Sequence, residues 1–221
     1  MYHPLQLASF ALMQFQHGLQ GLTEEEARVR MKKADGTEMN AISWTVGHVS
    51  WQWIRLATRV ALAQGLSEGG DDPYPMLRDR TRQFRSGSSD ATPPTLADAL
   101  ALLDDATEMS KWLVGVDNSI METVQWGTDP RDSGVVRDIP ETLGTSAIRN
   151  ALHSWFHIGE INAVRQMLGH PEILFIIMMG GNMEWQSEGS AAPPWVTYPP
   201  PLAPHDAEII KKYRQVLPQR A

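Results

Sequence analysis

The chain has 221 residues, of which 42% are hydrophobic, so it is long enough for one domain with a substantial core. Its formal net charge of -7 argues against binding nucleic acid by phosphate neutralisation, and the absence of cysteine excludes disulfides, thiolate metal sites and cysteine nucleophiles. The longest apolar run, residues 173–179, is far shorter than the roughly 20 residues that a membrane-spanning helix needs. The first residues lack the pattern of a signal peptide, so we expect a cytoplasmic protein.

The first half of the chain predicts two long helices with a short one between them. Apolar residues recur at helical spacing over residues 4–19. In the stretch "TEEE", Thr23 and Glu26 have the spacing of a capping box, which predicts a short helix. The second long helix is predicted to begin after Asn40, a good N-cap residue, and to end at Gly65.

The second half of the chain predicts two more long helices, separated by irregular stretches. After a polar loop over residues 66–94, a strongly amphipathic helix opens at Thr95. Residues 115–144 contain "ETVQW" and "GVVRDI", which indicate either a short hairpin or a loop. The last helix is predicted from Thr145 to Gly169, because a proline follows just beyond that glycine.

Four long helices joined by long loops predict an all-α fold, a four-helix bundle whose connections permit crossovers. The stretch "EGSAAPPWVTYPPPLAP" near the C-terminus is proline-rich and is expected to be extended. We therefore divide the chain into a bundle, residues 1–170, and a C-terminal extension packed on that bundle, residues 171–221.

Two histidines lie four residues apart in the predicted last helix. His153 and His157 therefore share one helix face, with Cβ atoms roughly 5–6 Å apart, and both border an apolar stripe. Two imidazoles in this arrangement can bind one metal ion, as in the metalloprotease pattern HExxH. Because Ser154 takes the place of the glutamate in that pattern, zincin-type proteolysis is not supported.

A third histidine, His48, is predicted on the second long helix, with Trp44 and Trp51 on the same face. Gly47 costs about 1 kcal/mol of helix propensity relative to alanine, which suggests that another helix approaches closely there, and Gly159 suggests the same in the last helix. Packed helices lie about 8–10 Å apart, so the three imidazoles can meet. From the residues alone, a three-histidine metal site and three core histidines with other partners stay equally open.

Two segments of the chain together resemble the DinB-like superfamily. They are "GLTEEEARVRMKKADGTEMNAISWTVGHVSWQW" and, much later, "HSWFHIGEINAVRQMLGHP". The most specific features are "LT-EE" leading to "N-I-W-x-x-G-H", the pair "H-x-x-x-H-x-G-E" and the closing "R-Q-x-L-G-H-P". Members of that superfamily are four-helix bundles that hold a metal on three histidines. The resemblance implies that the metal ligands in this chain are His48, His153 and His157.

The same resemblance implies an activity, because its best-understood relatives are mycothiol-dependent maleylpyruvate isomerase and bacillithiol S-transferases. We expect a divalent metal, zinc before nickel, iron or manganese, that activates a low-molecular-weight thiol for S-transfer to, or isomerisation of, a small-molecule substrate. One alternative is a hydrolase that uses metal-bound water. Others are a bundle that binds a metal or ligand without turnover and an interaction module with a decayed site; a homodimer is a further possibility.

Five other residues are candidates around this site. Glu160 lies one turn beyond the histidine pair and is a candidate to orient one imidazole from outside the ligand set. The candidates for substrate contact are Trp44 and Trp51, as pocket walls, and Arg149 and Arg165, as partners of a substrate carboxylate. The alternative for the tryptophans is core packing, and the alternative for the charged residues is an ordinary position on the helix surface.

Overall fold

Helices make up most of the described chain, which in this computed structural model comprises residues 10–12, 14–16, 18–66, 80–84, 92–125 and 141–171. The chain is helical at each described position from 10 to 18, and this segment is named α1. The helices that follow in the described ranges are α2 (Glu24–Ala27), α3 (Ile42–Ala63), α4 (Leu96–Val114), α5 (Asn118–Met121) and α6 (Leu143–Met167), with a turn of 3-10 helix, Arg82–Phe84, before α4. The four predicted long helices therefore correspond to α1, α3, α4 and α6.

The short helix α2 connects the start of α4 to the end of α6. The predicted capping box is confirmed, because the Thr23 hydroxyl accepts a hydrogen bond from the Glu26 amide while the Glu26 carboxylate accepts one from the Thr23 amide. The Glu24 carboxylate also accepts from the backbone N–H of Leu96, 2.8 Å away, at the first position of α4. Glu26 lies 3.0 Å from His170, just after α6. One turn of helix thus holds two distant helix ends.

The starts of α3, α4 and α6 follow the predicted positions to within two residues, and the predicted start of α1 lies outside the described residues. Thr95 is the N-cap of α4, and its hydroxyl accepts a backbone N–H three residues later, as predicted. α6 begins two residues earlier than predicted, because the hydroxyl of Thr142 caps it by accepting from the Thr145 amide at 3.0 Å. For α3 the prediction was wrong by one residue: Ala41 occupies the N-cap in place of Asn40, without a side-chain cap.

A two-stranded antiparallel ladder precedes α6. β1 (Val124–Gln125) pairs with β2 (Glu141–Thr142), so the "ETVQW" stretch does form one strand of a small hairpin. Its partner is the residue pair that leads into α6, whereas "GVVRDI" and the proline-rich stretch near the C-terminus lie outside the described residues. No helix in the described ranges has the length and apolar character needed to cross a membrane.

The core lies around α3, which packs against both α4 and α6. Trp53 of α3 is fully buried, and its indole N–H donates to the hydroxyl of Ser154 on α6 at 3.1 Å. The side-chain amide of Asn150 donates to the Gln52 carbonyl at 3.0 Å. Position 154 therefore serves the seam between the helices, which explains why the small serine, and not a glutamate, stands between the two histidines.

α1 is also fixed to α6. The buried guanidinium of Arg165 donates to the carbonyls of Gly18 and Gln20, at 3.0 and 2.8 Å, where α1 ends. The rings of Phe10 and Trp155 meet with centroids 5.8 Å apart. Because carbonyls at a helix end lack partners within the helix, the Arg165 contacts supply donors to them, and at the buried Gly18 they prevent an unsatisfied carbonyl.

Candidate metal centre

Three imidazoles from two helices meet at the seam between α3 and α6. The ring centroid of His48 lies 5.3 Å from that of His153 and 5.4 Å from that of His157, and the latter two are 4.5 Å apart. Each ring offers one nitrogen, and these nitrogens all lie within 4.8 Å of one another. His48 and His157 are buried, and His153 is half-buried. The predicted convergence of the three side chains is therefore present in the fold.

The imidazole of His48 is held by a hydrogen bond at one edge and by contacts with two tryptophan rings. Its Nδ1 lies 2.8 Å from the carbonyl oxygen of Phe84, and because a carbonyl only accepts, Nδ1 carries the hydrogen. The Trp44 ring stacks on the imidazole, with centroids 4.6 Å apart and planes inclined by 10°, and Trp51 packs at 5.5 Å. The Nε2 lone pair of His48 is thereby left for another partner.

Gly47 makes the anchor of His48 sterically possible. A β carbon at this position would overlap the Phe84 ring, so only glycine lets that ring lie against α3. The prediction of a close approach is thus confirmed, but the approaching group is an aromatic ring of the 3-10 turn and not a helix. At Gly159 the described part of the chain shows no such approach, since none of its atoms lies within 4 Å of where a β carbon would be.

His157 is oriented by a carboxylate. Its Nδ1 lies 2.7 Å from Oε2 of Glu160, one turn further along α6, so here too Nδ1 carries the hydrogen. Its Nε2 lies 2.9 Å from Nε2 of His153. Among the described residues, no hydrogen bond holds the Nδ1 of His153. Two of the three rings are therefore fixed from outside the cluster, and the third is not.

The short contact between His153 and His157 tests whether a metal ion fits these residues. Two unprotonated imidazole nitrogens at 2.9 Å repel each other unless a proton or a cation lies between them. Zinc binds imidazole nitrogen at about 2.0–2.1 Å, so two tetrahedral ligands of one ion stand about 3.3 Å apart. The observed separation is a few tenths of an ångström shorter, which a small rotation of either ring would correct, and a set of neutral imidazoles suits zinc and several other divalent ions.

Burial keeps two of the imidazoles neutral at pH 7. Loss of solvation lowers the pKa of His48 from 6.5 to about 4, against the opposing effect of the Phe84 carbonyl. Loss of solvation also lowers the pKa of His153 to about 4, and the neighbouring His157 and the charge of Arg149 act in the same direction. A metal ligand must be unprotonated, so these shifts keep the lone pairs available.

The predicted aromatic walls lie beside His48. Trp44 is half-buried and Trp51 is buried, with the guanidinium of Arg55 5.7 Å from its ring. The indole nitrogen of Trp44 is buried and has no hydrogen-bond partner within the described part of the chain. Since buried indole N–H groups normally find an acceptor, this donor is unusual and lies on the ring that stacks on a candidate ligand.

The two predicted arginines occupy different surroundings. Arg149, one turn before His153, forms a two-pronged ion pair with Glu141, at 2.8 and 2.9 Å, on the exposed side of α6. Arg165 is buried and donates to the backbone at the end of α1, a structural contact.

The sequence analysis did not predict a role for Phe84. The backbone carbonyl of this residue, which anchors His48, belongs to a stretch whose composition is that of a polar loop. The one available signal was a lone aromatic residue within that loop.

Comparisons with known proteins agree with this geometry. A model of the DinB superfamily matches residues 8–161, and no curated protein matches the chain. Among solved structures, the chain is similar to YfiT from Bacillus subtilis, described as "a probable metal-dependent hydrolase with an unusual four-helix bundle topology". The two share 17% sequence identity with a TM-score of 0.50, over 76% of this chain and 87% of YfiT, which supports the all-α bundle. Because the family model covers well over half of its residues, the chain belongs to the DinB superfamily.

Proposed function

We propose that this protein is a metal-dependent enzyme that holds a divalent ion on His48, His153 and His157. The observation that carries the proposal is the 2.9 Å approach of two imidazole nitrogens within a cluster whose third member is buried and neutral. Three nitrogen ligands leave coordination positions open, which is typical of catalytic rather than structural sites. Zinc is our first choice, with nickel, iron and manganese as alternatives.

The residues around the three histidines have separate tasks in this proposal. A divalent ion on three imidazoles supplies Lewis acidity, which lowers the pKa of a thiol or water that it binds. Glu160 and the Phe84 carbonyl hold the Nδ1 hydrogens of His157 and His48, so that both rings direct Nε2 into the cluster. For His153 the described residues provide no such contact, and its Nε2 faces that of His157.

Substrate contacts are proposed for the residues that border the cluster. Trp44 and Trp51 lie against His48 and exclude water there. The indole N–H of Trp44, which has no partner among the described residues, is a candidate donor to a substrate oxygen. Arg149 is a candidate partner for a substrate carboxylate, because its charge already acts on His153. We do not extend this role to Arg165, whose guanidinium donates to the backbone of the bundle.

The proposed nucleophile is a low-molecular-weight thiol. The chain has no cysteine, so a thiol must come from solution. In S-transfer, the thiolate sulfur forms a bond to an electrophilic carbon, and the leaving group departs with its electron pair. In isomerisation, the sulfur adds to a conjugated double bond, the new single bond rotates, and the sulfur leaves again as thiolate. Both reactions need a sulfur nucleophile and no redox partner.

Hydrolysis is the second candidate, and the similarity to YfiT supports it, since that protein is described as "a probable metal-dependent hydrolase". In that reaction water replaces the thiol as the nucleophile, and the same three histidines would hold the ion. The two candidates differ in one measurable requirement, namely added thiol.

The experiment is a turnover assay of zinc-loaded protein with an activated aryl halide and with maleylpyruvate. Each is tested with and without glutathione, cysteine, mycothiol or bacillithiol, beside a set of carboxylic esters without thiol. Turnover that requires a thiol and is lost in His157→Ala, while His170→Ala retains it, is the expected result. His170 is a matched control because it lies outside the cluster and pairs with Glu26. Ester hydrolysis without thiol, lost in the same variant, would contradict the thiol proposal and favour the hydrolase.

A further inference from the structure

The 3-10 turn that carries Phe84 is held to α4 by an ion pair. Residues 80–84 are helical throughout, and Arg80 lies one turn before Phe84. Its guanidinium Nη1 lies 2.8 Å from Oδ2 of Asp105, a residue in the middle of α4. In helical conformation, the chain from Arg80 to Phe84 spans only about 6–8 Å. A displacement of Arg80 is therefore passed on to the Phe84 carbonyl.

The carboxylate of Asp105 is placed where a charge is costly. Asp105 is 8% exposed, and the residues three before and four after it on the same face of α4, Leu102 and Met109, are buried as well. A carboxylate in such surroundings loses solvation that only charged or hydrogen-bonding partners restore. Arg80 supplies such a partner from a side chain that is 44% exposed. Because a well-packed apolar residue would stabilise the fold equally well, the buried charge points to a task in positioning.

The other end of the turn is held against α3. The Phe84 side chain is fully buried, and its ring lies where a β carbon of Gly47 would be. A contact at one point does not fix the orientation of a short turn. The ion pair with α4 supplies a second point, so that the direction of the Phe84 carbonyl is determined. The turn thus bridges α3 and α4, which pack against each other in the core.

We propose that Asp105 and Arg80 are positioning residues for the candidate metal centre, because their ion pair sets the place of the carbonyl that orients His48. The bond from Nδ1 of His48 to this carbonyl is 2.8 Å long and tolerates a shift of only about half an ångström, since N–H···O bonds are rarely longer than about 3.2 Å. Loss of the bond releases the tautomer and the ring direction, so Nε2 is no longer held towards the cluster. The effect on metal binding rests on the proposed function, whereas the effect on the His48 ring does not.

The hydrogen bond of His48 is measured in metal-free protein by nuclear magnetic resonance. Exchange of the His48 Nδ1 proton with water is expected to be about tenfold faster in Arg80→Ala and in Asp105→Asn than in the wild type. Arg80→Lys keeps a cation for Asp105 and is expected to retain most of the protection. Arg82→Ala is the matched control, because it removes an exposed arginine from the same turn.

Zinc affinity and stability together separate positioning from a purely structural role. Competition with a chelator is expected to show zinc binding about tenfold weaker in Arg80→Ala and Asp105→Asn, at the lower end of the range for residues that support a metal ligand. Asp105→Asn removes a buried charge and leaves behind an arginine that is partly exposed, so its midpoint of urea unfolding should change little while its zinc affinity falls. Arg82→Ala should match the wild type in both measurements.

The outcomes that overturn the proposal differ from those that contradict the proposed function. Unchanged exchange of the His48 Nδ1 proton in Asp105→Asn, or equal acceleration in Arg82→Ala, would overturn the positioning role. So would a zinc affinity that follows the urea midpoint across all four variants, which is the behaviour of a purely structural ion pair. A wild type that binds no zinc would contradict the proposed function instead, and the exchange measurement would still decide what the ion pair does.

Discussion

Helices α3 and α6 both contribute to the three-histidine cluster, but they hold their histidines in different ways. His48 of α3 lies in the core, stacked on Trp44 and bonded to the Phe84 carbonyl, in a helix buried along most of its length. His157 of α6 depends on Glu160, and its neighbour His153 is half-buried beside an exposed apolar stripe. The comparison indicates that the core fixes one side of the site, while the other side depends on polar contacts near solvent.

The largest effect that tests the buried side is a loss of stability in acid. In metal-free protein, the pKa of His48 is about 4 in the folded state, against 6.5 for a histidine exposed to water, so between these values the unfolded chain binds the proton first. The contribution of His48 is fully present above pH 6.5 and is lost as the pH falls to 4. At 1.36 kcal/mol per pKa unit, the loss is about 3 kcal/mol, and His153 adds to it.

Urea unfolding of metal-free protein between pH 7 and pH 4 measures this loss. His48→Gln serves as the comparison, and its free energy of unfolding is expected to depend less on pH over that range. An unchanged pH dependence in this variant would mean that His48 is not held neutral by burial.

The next largest effect concerns the anchor of His48. Gly47→Ala gains up to about 1 kcal/mol of helix propensity, but the new methyl group overlaps the Phe84 ring, and overpacking of this kind typically costs 1–3 kcal/mol or more. We expect a net loss of about 2 kcal/mol in thermal or urea unfolding, together with weaker zinc binding. Gly159→Ala is the matched control on α6, where the added carbon meets no atom of the described residues, and it should be neutral or stabilising. Equal changes in the free energy of unfolding for Gly47→Ala and Gly159→Ala would contradict the steric role of Gly47.

A smaller effect is expected on the polar side of the site. Glu160→Gln keeps an acceptor for the Nδ1 hydrogen of His157 but removes the negative charge, and loss of such a partner typically weakens metal binding about 10- to 100-fold. Competition with a zinc chelator measures the affinity. Glu25→Gln, at an exposed position in α2, is the control and should bind zinc as the wild type does. An unaltered zinc affinity in Glu160→Gln would mean that the Glu160 carboxylate does not contribute to metal binding.

The smallest effect is predicted for Arg149. Its ion pair with Glu141 is partly exposed, so Arg149→Ala should change the free energy of unfolding by only about 1 kcal/mol. If Arg149 binds a substrate carboxylate, the same variant raises KM for an acidic substrate while leaving kcat close to the wild-type value. An unchanged KM would mean that Arg149 is a surface residue that does not contact the substrate.

Local signals in the sequence predicted much of this arrangement. The i, i+4 spacing of His153 and His157, the tryptophans around His48 and the capping box of Thr23 are patterns within a few residues, and the fold contains each of them. Contacts between distant segments were not predictable in this way. No local pattern links the Phe84 carbonyl to His48, which is 36 residues away.

The prediction for Arg165 failed for the same reason, because its partners are distant in sequence. Arg165 lies near the closing sequence motif and suggested a substrate contact, yet its partners are backbone groups almost 150 residues earlier in the chain. The division into bundle and extension, the cytoplasmic location, the thiol and the homodimer stay predictions.

The central claim is that three histidines from two helices hold one metal ion, and metal content tests it most directly. Elemental analysis of tag-free protein is run beside His48→Ala and His157→Ala, with His170→Ala as the control outside the cluster. We predict about one zinc or other transition metal per chain in the wild type and in the control, and loss of that metal in both cluster variants. A folded wild type that contains no metal and cannot be loaded with zinc or nickel would contradict the claim.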